Sequence, residues 1–115
     1  MYRVVFLLND KGESKALNYI KSLKHKSDKS SRIKYNKIND YLTALSCYGL
    51  KNPPNIIKHL IDAIWELRPL RDRFLFSPVD NEFLILHRFM KKSQRTPGKE
   101  IKKAIFELEH YMEMK

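Results

Sequence analysis

The sequence predicts an α+β fold with an N-terminal strand, a helical hairpin, a twisted antiparallel sheet and a C-terminal helix. Three observations support this prediction. A short β-branched and aromatic run precedes two helical stripes, three strand-like runs follow a proline loop, and a last helical stripe ends the chain. The chain has 115 residues, enough for one modest core, so residues 1–115 are predicted to form a single domain.

The N-terminal half is predicted to contain the first strand and the helical hairpin. The run YRVVFLL at residues 2–8 ends in turn-forming residues and indicates a strand. Ser30 or Ser31 is expected to cap the second helix, and Gly49 is expected to end it. The helical stripes consist of Leu17, Ile20 and Leu23 in the first helix and of Ile33, Ile38, Tyr41, Leu42, Leu45 and Tyr48 in the second. Neither helix is long enough to be stable alone, so both should pack on the sheet as a hairpin.

The C-terminal half is predicted to supply the rest of the sheet and the last helix. Strands are indicated at residues 64–68, 73–76 and 83–87. Pro69 and Asp72 mark one tight connection and residues 78–81 mark the next, which favours an antiparallel meander. Thr96 is expected to be the N-cap of the final helix, with Pro97 at its first position.

The charge balance points to a polyanionic partner. The chain carries 23 Lys and Arg against 13 Asp and Glu, a formal net charge of +10. Nucleic acid, an acidic protein and an anionic membrane surface all fit this charge. Membrane insertion is disfavoured because no apolar run approaches the roughly 20 residues of a spanning helix. A single cysteine and the absence of a signal-like core predict a cytoplasmic protein.

Candidate chemistry concentrates between residues 65 and 97. Strand alternation places Glu66 and Arg68 on one face, and Arg71 and Arg73 on a face of the neighbouring strand, so three arginines and a carboxylate are expected to converge. A guanidinium group suits phosphate because it is always charged and offers a planar fork of donors. The competing structural interpretation is that these arginines are edge residues paired with nearby acids.

A histidine on the last strand is a candidate for proton transfer near neutral pH. Alternation leaves open whether His87 or Arg88 faces the arginines. No metal or other cofactor is expected, because four scattered histidines and one cysteine show no ligand spacing, and no glycine-rich loop is present.

The basic segment from Lys21 to Lys37 holds seven Lys and Arg residues and one acid. It is interpreted either as a solvated helix pair or as a surface that tracks a phosphate backbone without reading sequence.

The order of several short motifs resembles the phage-related, HigB-type branch of the RelE/ParE toxin superfamily. The motifs are Lys58-His59-Leu60, Trp65-Glu66-Leu67-Arg68, Arg73, the run from Leu86 to Pro97, and Glu100-Ile101. The similarity spans essentially the whole chain. It implies a RelE-like fold and a toxin of a type II toxin–antitoxin system.

Many proteins that this chain resembles are ribosome-dependent endoribonucleases that cut mRNA. The resemblance therefore implies a metal-free reaction in which the ribose 2′-OH attacks the adjacent phosphate, leaving a 2′,3′-cyclic phosphate and a 5′-OH. Arg73 is the first candidate for transition-state stabilisation and Arg68 the second, while Glu66 or His87 is the base or acid. The residues expected to bind RNA phosphates are Arg71, Arg88, Lys91, Lys92 and Arg95. The chain departs from the best-known RelE toxins because it has no C-terminal catalytic tyrosine, Tyr111 being inside the final helix.

The resemblance also implies partners. These are the 70S ribosome with its mRNA and a cognate HigA-like antitoxin with a helix-turn-helix domain, in a toxin–antitoxin heterotetramer; no membrane partner is expected. Two alternatives remain open: a ParE-like poison of DNA gyrase, which has the same fold without nuclease chemistry, and an inactive toxin that survives as a binding module.

Overall fold

Five strands form one sheet and three helices cover it in the computed structural model, which describes residues 1–115. The strands are β1 (Arg3–Phe6), β2 (Ile57–Ile61), β3 (Ile64–Leu67), β4 (Asp72–Val79) and β5 (Glu82–Met90). The helices are α1 (Lys15–Lys24), α2 (Lys29–Tyr48) and α3 (Gly98–Met114), and a short 3₁₀ turn (Gly49–Lys51) follows α2. The predicted α+β class and the order of helices and sheet are confirmed.

The sheet has the strand order β1-β5-β4-β3-β2. Strands β3 to β5 form the predicted antiparallel meander, and β2 extends it by pairing antiparallel with β3. β1 pairs with β5 in parallel, so the sheet is mixed. A parallel pair needs a long crossover connection, and the chain between these two strands includes the helical hairpin and the meander.

Strand β2 is not among the strands predicted from the sequence. Its burial alternates poorly, since only Ile57 is buried while Lys58, His59 and Ile61 are exposed. An edge strand with charged residues shows little of the alternation that identifies a half-buried strand. Because β2 pairs with β3, it adds Lys58 directly beside Glu66.

Apolar side chains on both faces of the sheet are buried. The face toward α1 and α2 carries the cluster Ala16, Ile20, Leu23, Ile38, Leu45, Ile57, Leu67, Phe74, Phe76, Phe83 and Ile85. The face toward α3 carries Ile64, Leu75, Leu84, Leu86, Phe89 and Ala104. Because β4 is covered on both sides, its first six residues are all buried, including the charged Asp72 and Arg73. Charged side chains in such a strand need partners within the protein.

Two predicted helix caps are wrong. The N-cap of α2 is Asp28, whose carboxylate accepts a hydrogen bond from the Ser31 amide at 3.0 Å, rather than Ser30 or Ser31 itself. Helix α3 begins at Gly98 after Pro97, without a side-chain cap. The Thr96 hydroxyl instead donates to Glu66.

Gly49 ends α2 as predicted, in a conformation with φ of +57°. A Cβ at this position would lie 2.7 Å from Cε2 of Tyr2. The Tyr2 amide donates to the Ser46 carbonyl, and the Ser46 hydroxyl donates to the Tyr2 carbonyl. The end of α2 therefore anchors the residue that precedes β1. None of the three helices is long and apolar enough to cross a membrane.

Candidate functional site

A narrow cationic cleft lies on the α3 side of the sheet, between β2, β3 and β4 and the segment that follows β5. We call it the arginine cleft. Its lining residues are Lys58, Glu66, Arg68, Arg73, Phe89, Lys91, Ser93, Gln94, Arg95 and Thr96. Its volume is about 10 Å³, room for about one water molecule.

Strand register explains why residues distant in sequence meet in the arginine cleft. Lys58 is paired with Glu66 across β2 and β3, and Arg73 is paired with Phe89 across β4 and β5. Paired residues point to the same face of a sheet. Arg68 follows the end of β3, and its amide donates to the Ile56 carbonyl at 2.9 Å, which keeps this residue against the sheet.

The carboxylate of Glu66 is the centre of the cleft and is only 2% exposed. Its Oε1 lies 3.4 Å from Nε of Arg68 and 3.8 Å from Nε of Arg73. Its Oε2 accepts a hydrogen bond from the Thr96 hydroxyl at 2.5 Å. Glu66 therefore holds two guanidinium groups and one hydroxyl around a single buried carboxylate.

Arg73 is fixed by the backbone as well as by Glu66. Its Nη1 donates to the Leu70 carbonyl at 2.8 Å and to the Asp72 carbonyl at 2.9 Å. Burial lowers the pKa of the Arg73 guanidinium below its ordinary value, and the nearby Glu66 carboxylate opposes that shift. At ordinary pH the guanidinium keeps its charge. A cation that is already ordered by carbonyl groups suits the stabilisation of a phosphate that gains charge during reaction.

Arg68 is more exposed and less completely paired. Its Nη1 donates to the Pro54 carbonyl at 3.1 Å, which connects the proline loop to the cleft. Its Nε is buried and has no well-aligned hydrogen bond, although it lies near Glu66. The ion pair with the Glu66 carboxylate is therefore the partner of this buried N–H.

Lys91 and Arg95, two of the predicted RNA-binding residues, line the cleft, and Lys92 does not line it. Lys92 is exposed on the segment after β5, where it neighbours Lys91 in the chain. The structure therefore puts two of the predicted RNA-binding residues at the cleft and a third beside it.

The prediction that His87 joins the arginines is not met by the geometry. His87 is on the same face as Glu66, because Glu66 pairs with Leu75 and Leu75 pairs with His87. However, its Nε2 lies 2.7 Å from Oε1 of Glu100 on α3, and it does not line the arginine cleft. The ring also stacks with Phe89 at 6.0 Å. The alternation rule failed to show that α3 supplies a nearer partner.

Arg88, the other residue that alternation allowed to face the arginines, is on the opposite face of the sheet, paired with Phe74. Its Nη2 donates to Oδ1 of Asp72 at 2.9 Å, and its guanidinium carbon lies 3.5 Å from the ring centre of Tyr19. The Tyr19 hydroxyl also donates to Asp72. Burial and the hydrogen bond to the Asp72 carboxylate raise the pKa of Tyr19 to about 12. These three residues hold α1 against the start of β4.

Arg71 also lies outside the arginine cleft, contrary to the prediction that three arginines converge. It precedes β4, is exposed, and donates from Nη2 to the Lys91 carbonyl at 3.2 Å. Two arginines, not three, meet at Glu66.

Besides the apolar Phe89, four polar residues of the cleft have no site role predicted from the sequence: Lys58, Ser93, Gln94 and Thr96. Recognising β2 as a strand would have identified Lys58 through its pairing with Glu66. No local signal marks the other three, since they belong to a segment whose position depends on long-range contacts. No group of three or more His, Cys, Asp and Glu side chains is arranged to hold a metal ion.

The strand order, the helical hairpin and the cationic cleft define a RelE-like α+β protein. The family described as Phage derived protein Gp49-like (DUF891) matches residues 18–109, and the chain belongs to this family. This family is RelE-like and toxin-like, and its members are often toxins of toxin–antitoxin systems. No curated protein matches the chain.

Proposed function

We propose that this chain is a HigB-type toxin of a type II toxin–antitoxin system that cuts mRNA on the ribosome. The observation that carries the proposal is the grouping of Arg68 and Arg73 around Glu66 in a cleft rimmed by Lys58, Lys91 and Arg95. Membership of a toxin-like family supports the same function.

The proposed reaction needs positioned cations and proton transfer but no metal. A base removes the proton of a ribose 2′-OH, and the oxygen attacks the adjacent phosphorus in line. The bond from phosphorus to the 5′-oxygen breaks, and an acid or a water molecule protonates that oxygen. The products are a 2′,3′-cyclic phosphate and a 5′-OH. Arg73 stabilises the additional negative charge, because both of its hydrogen bonds use Nη1 and leave Nη2 for a phosphate oxygen.

The two proton-transfer candidates differ in position. Glu66 lies in the arginine cleft, whereas His87 is held by Glu100 outside it. We therefore propose Glu66 as the base, and we propose that Thr96 withdraws from it when RNA binds. The segment at residues 91–97 must shift for this to happen, since the cleft now has room for about one water molecule.

The proposed partners follow from the same function. The 70S ribosome presents the mRNA, and Lys91, Lys92 and Arg95 bind RNA phosphates near the arginine cleft. A HigA-like antitoxin with a helix-turn-helix domain neutralises the toxin in a heterotetramer. We place this activity in the cytoplasm, where translation occurs.

Primer extension on mRNA translated by purified 70S ribosomes tests the proposal. The wild-type chain is expected to produce discrete cuts with 2′,3′-cyclic phosphate ends, and Arg73→Ala is expected to reduce the rate by about 100-fold or more. Arg3→Ala is the matched control, because Arg3 is an exposed residue on the opposite edge strand, paired only with Glu82. Circular dichroism and a melting curve establish that each variant is folded.

Three results would count against the proposal or its site assignment. Equal cleavage by the wild-type chain and folded Arg73→Ala would remove Arg73 from the mechanism. Accumulation of cleaved gyrase–DNA complexes without mRNA cuts would instead identify a gyrase poison. Harmless overproduction without an antitoxin would support the inactive binding module.

A further inference from the structure

A second concave surface lies beside the arginine cleft, where the N-terminal part of α2 meets the turn before β4. We call it the α2 groove. Its lining residues are Lys29, Ser30, Ile33, Lys34, Leu70, Arg71 and Met90. The groove is open and has a volume of about 590 Å³, within the range of sites that bind ligands.

The floor of the α2 groove is apolar and exposed. Ile33 on α2 is 48% exposed and Leu70 is 47% exposed, and Met90 also lines the groove. Scattered apolar residues are common on surfaces, but here three meet in one concavity.

Leu70 adds a second observation, because its φ is +56°. A bulky residue other than glycine in the left-handed region is uncommon and carries backbone strain. Such strain persists only where the surroundings impose it, and it concentrates at functional sites. Here the strained residue presents a large apolar side chain to solvent.

The rim of the α2 groove is positively charged. Lys29, Lys34 and Arg71 line it, and no acidic residue does. An apolar floor with a cationic rim is complementary to a polypeptide that carries apolar and acidic side chains on one face. Nucleic acid fits less well, since a phosphate backbone would satisfy the rim but leave the apolar floor unfilled.

We propose that the α2 groove binds an acidic amphipathic segment of a partner protein. Apolar side chains of the segment contact Ile33, Leu70 and Met90, and its carboxylates pair with Lys29, Lys34 and Arg71. The proposal concerns docking alone and does not depend on RNA cleavage in the arginine cleft.

The backbone connects an occupant of the α2 groove to the arginine cleft. The Leu70 carbonyl accepts the hydrogen bond that fixes Arg73, and Arg71 donates to the carbonyl of Lys91. A bound peptide that displaces Leu70 therefore changes a hydrogen bond of Arg73. One that displaces Arg71 changes a hydrogen bond of Lys91, where residues 91–97 begin. Docking at the groove is thus placed to regulate the neighbouring site.

Selection from a displayed library of random 20-residue peptides tests the docking proposal. The full-length protein is the target, and an Ile33→Ser, Leu70→Asn double variant is used for counter-selection. Asparagine tolerates the left-handed conformation, so it removes the apolar side chain of Leu70 with little added strain. Phe106→Ser is the matched control, because Phe106 is an exposed apolar residue on α3, outside the groove.

The expected binders combine acidic residues with apolar residues at helical spacing. Their affinity, measured by fluorescence anisotropy, should fall at least 10-fold with the double variant and with Lys34→Glu, and stay within 2-fold with Phe106→Ser. An NMR spectrum of the backbone amides of each variant verifies that it is folded. Peptides without acidic residues, or peptides that bind the wild-type and double-variant proteins equally, would overturn the proposal. So would an RNA oligonucleotide that loses affinity with Leu70→Asn while the selected peptides do not.

Discussion

At the scale of single residues, Glu66 organises the candidate site. Its one buried carboxylate faces two guanidinium groups and a hydroxyl. Removing one member of a buried ion pair costs more stability than replacing both members with apolar residues. The remaining charge is then buried without either water or a partner. The arginine cleft therefore depends on Glu66 for its shape as well as for any proton transfer.

Glu66→Gln should lower the free energy of unfolding by about 2–3 kcal/mol, because Arg73 then remains buried without its carboxylate. Urea denaturation followed by tryptophan fluorescence measures this change. Glu82→Gln is the control: its pair with Arg3 is exposed to solvent, so its loss should cost no more than about 0.5 kcal/mol. Equal stabilities for the two variants would contradict the importance of Glu66.

Tyr19 provides a prediction for high pH. Its pKa in the folded protein is about 12, against an ordinary value of 10.0, so the folded state binds the phenolic proton more tightly than the unfolded state does. The resulting stability is fully present below pH 10 and is lost as the pH rises through 12.

Tyr19→Phe should remove this high-pH loss of stability and should lower the free energy of unfolding near neutral pH by about 1–2 kcal/mol. Denaturation at a series of pH values measures both effects. Tyr48→Phe is the matched control, since Tyr48 is exposed at the end of α2. An unchanged pH profile in Tyr19→Phe would show that another group causes the loss.

At the scale of elements, the segment at residues 91–97 closes the arginine cleft. Thr96 connects it to Glu66, and Ser93 makes a local hydrogen bond to the Arg95 carbonyl. Because one long-range hydrogen bond joins this exposed segment to the buried carboxylate, its opening should be sensitive to that bond.

Thr96→Val preserves the shape of the side chain but removes its hydroxyl donor. We expect amide hydrogen exchange in residues 91–96 to become about 5-fold faster or more, since a hydrogen bond to a charged group is worth about 1.5–3 kcal/mol. Ser93→Ala changes only the local bond and should leave exchange at Lys91 unchanged. Equal acceleration in the two variants would mean that Thr96 does not hold the segment.

Elements with regular periodicity could be predicted from the sequence. The apolar stripes of α1 and α2, and the runs that became β3 to β5, identified the fold class, while the exposed β2 gave too little alternation. The site was predictable to the extent that it depends on neighbouring strands, as for Glu66, Arg68 and Arg73. Thr96 shows the limit, because Thr-Pro before a helical stripe resembles a cap locally, and only the fold shows that its hydroxyl reaches Glu66 instead. His87 and Arg88 are likewise positioned by helix residues, Glu100 on α3 and Tyr19 on α1. Strand alternation does not reveal these contacts.

At the scale of the whole molecule, the net charge of +10 should govern association with RNA. Each lysine or arginine that neutralises a phosphate releases counterions, so affinity should fall steeply with salt. The cleft residues Lys91 and Arg95 are expected to contribute to this dependence, and exposed cations remote from the cleft are not.

The double variant Lys91→Ala, Arg95→Ala should reduce the slope of log affinity against log salt by about 1.4, because each phosphate contact on a single strand contributes about 0.7. Filter binding of a single-stranded RNA between low and moderate salt measures the slope. Lys102→Ala, an exposed position on α3, should leave it unchanged. A loss of affinity in both variants, without a change of slope, would point to a structural effect.

Because β1 pairs with β5, the strands cannot join the sheet in the order in which they are synthesised. β1 emerges first during translation, but its strand partner β5 begins at Glu82. An apolar strand of a nascent chain must therefore wait, unpaired, while the hairpin and most of the meander are being made. The strand that is synthesised first can therefore join the sheet only after β5 has been made. A prematurely terminated chain that lacks β5 has no partner for β1.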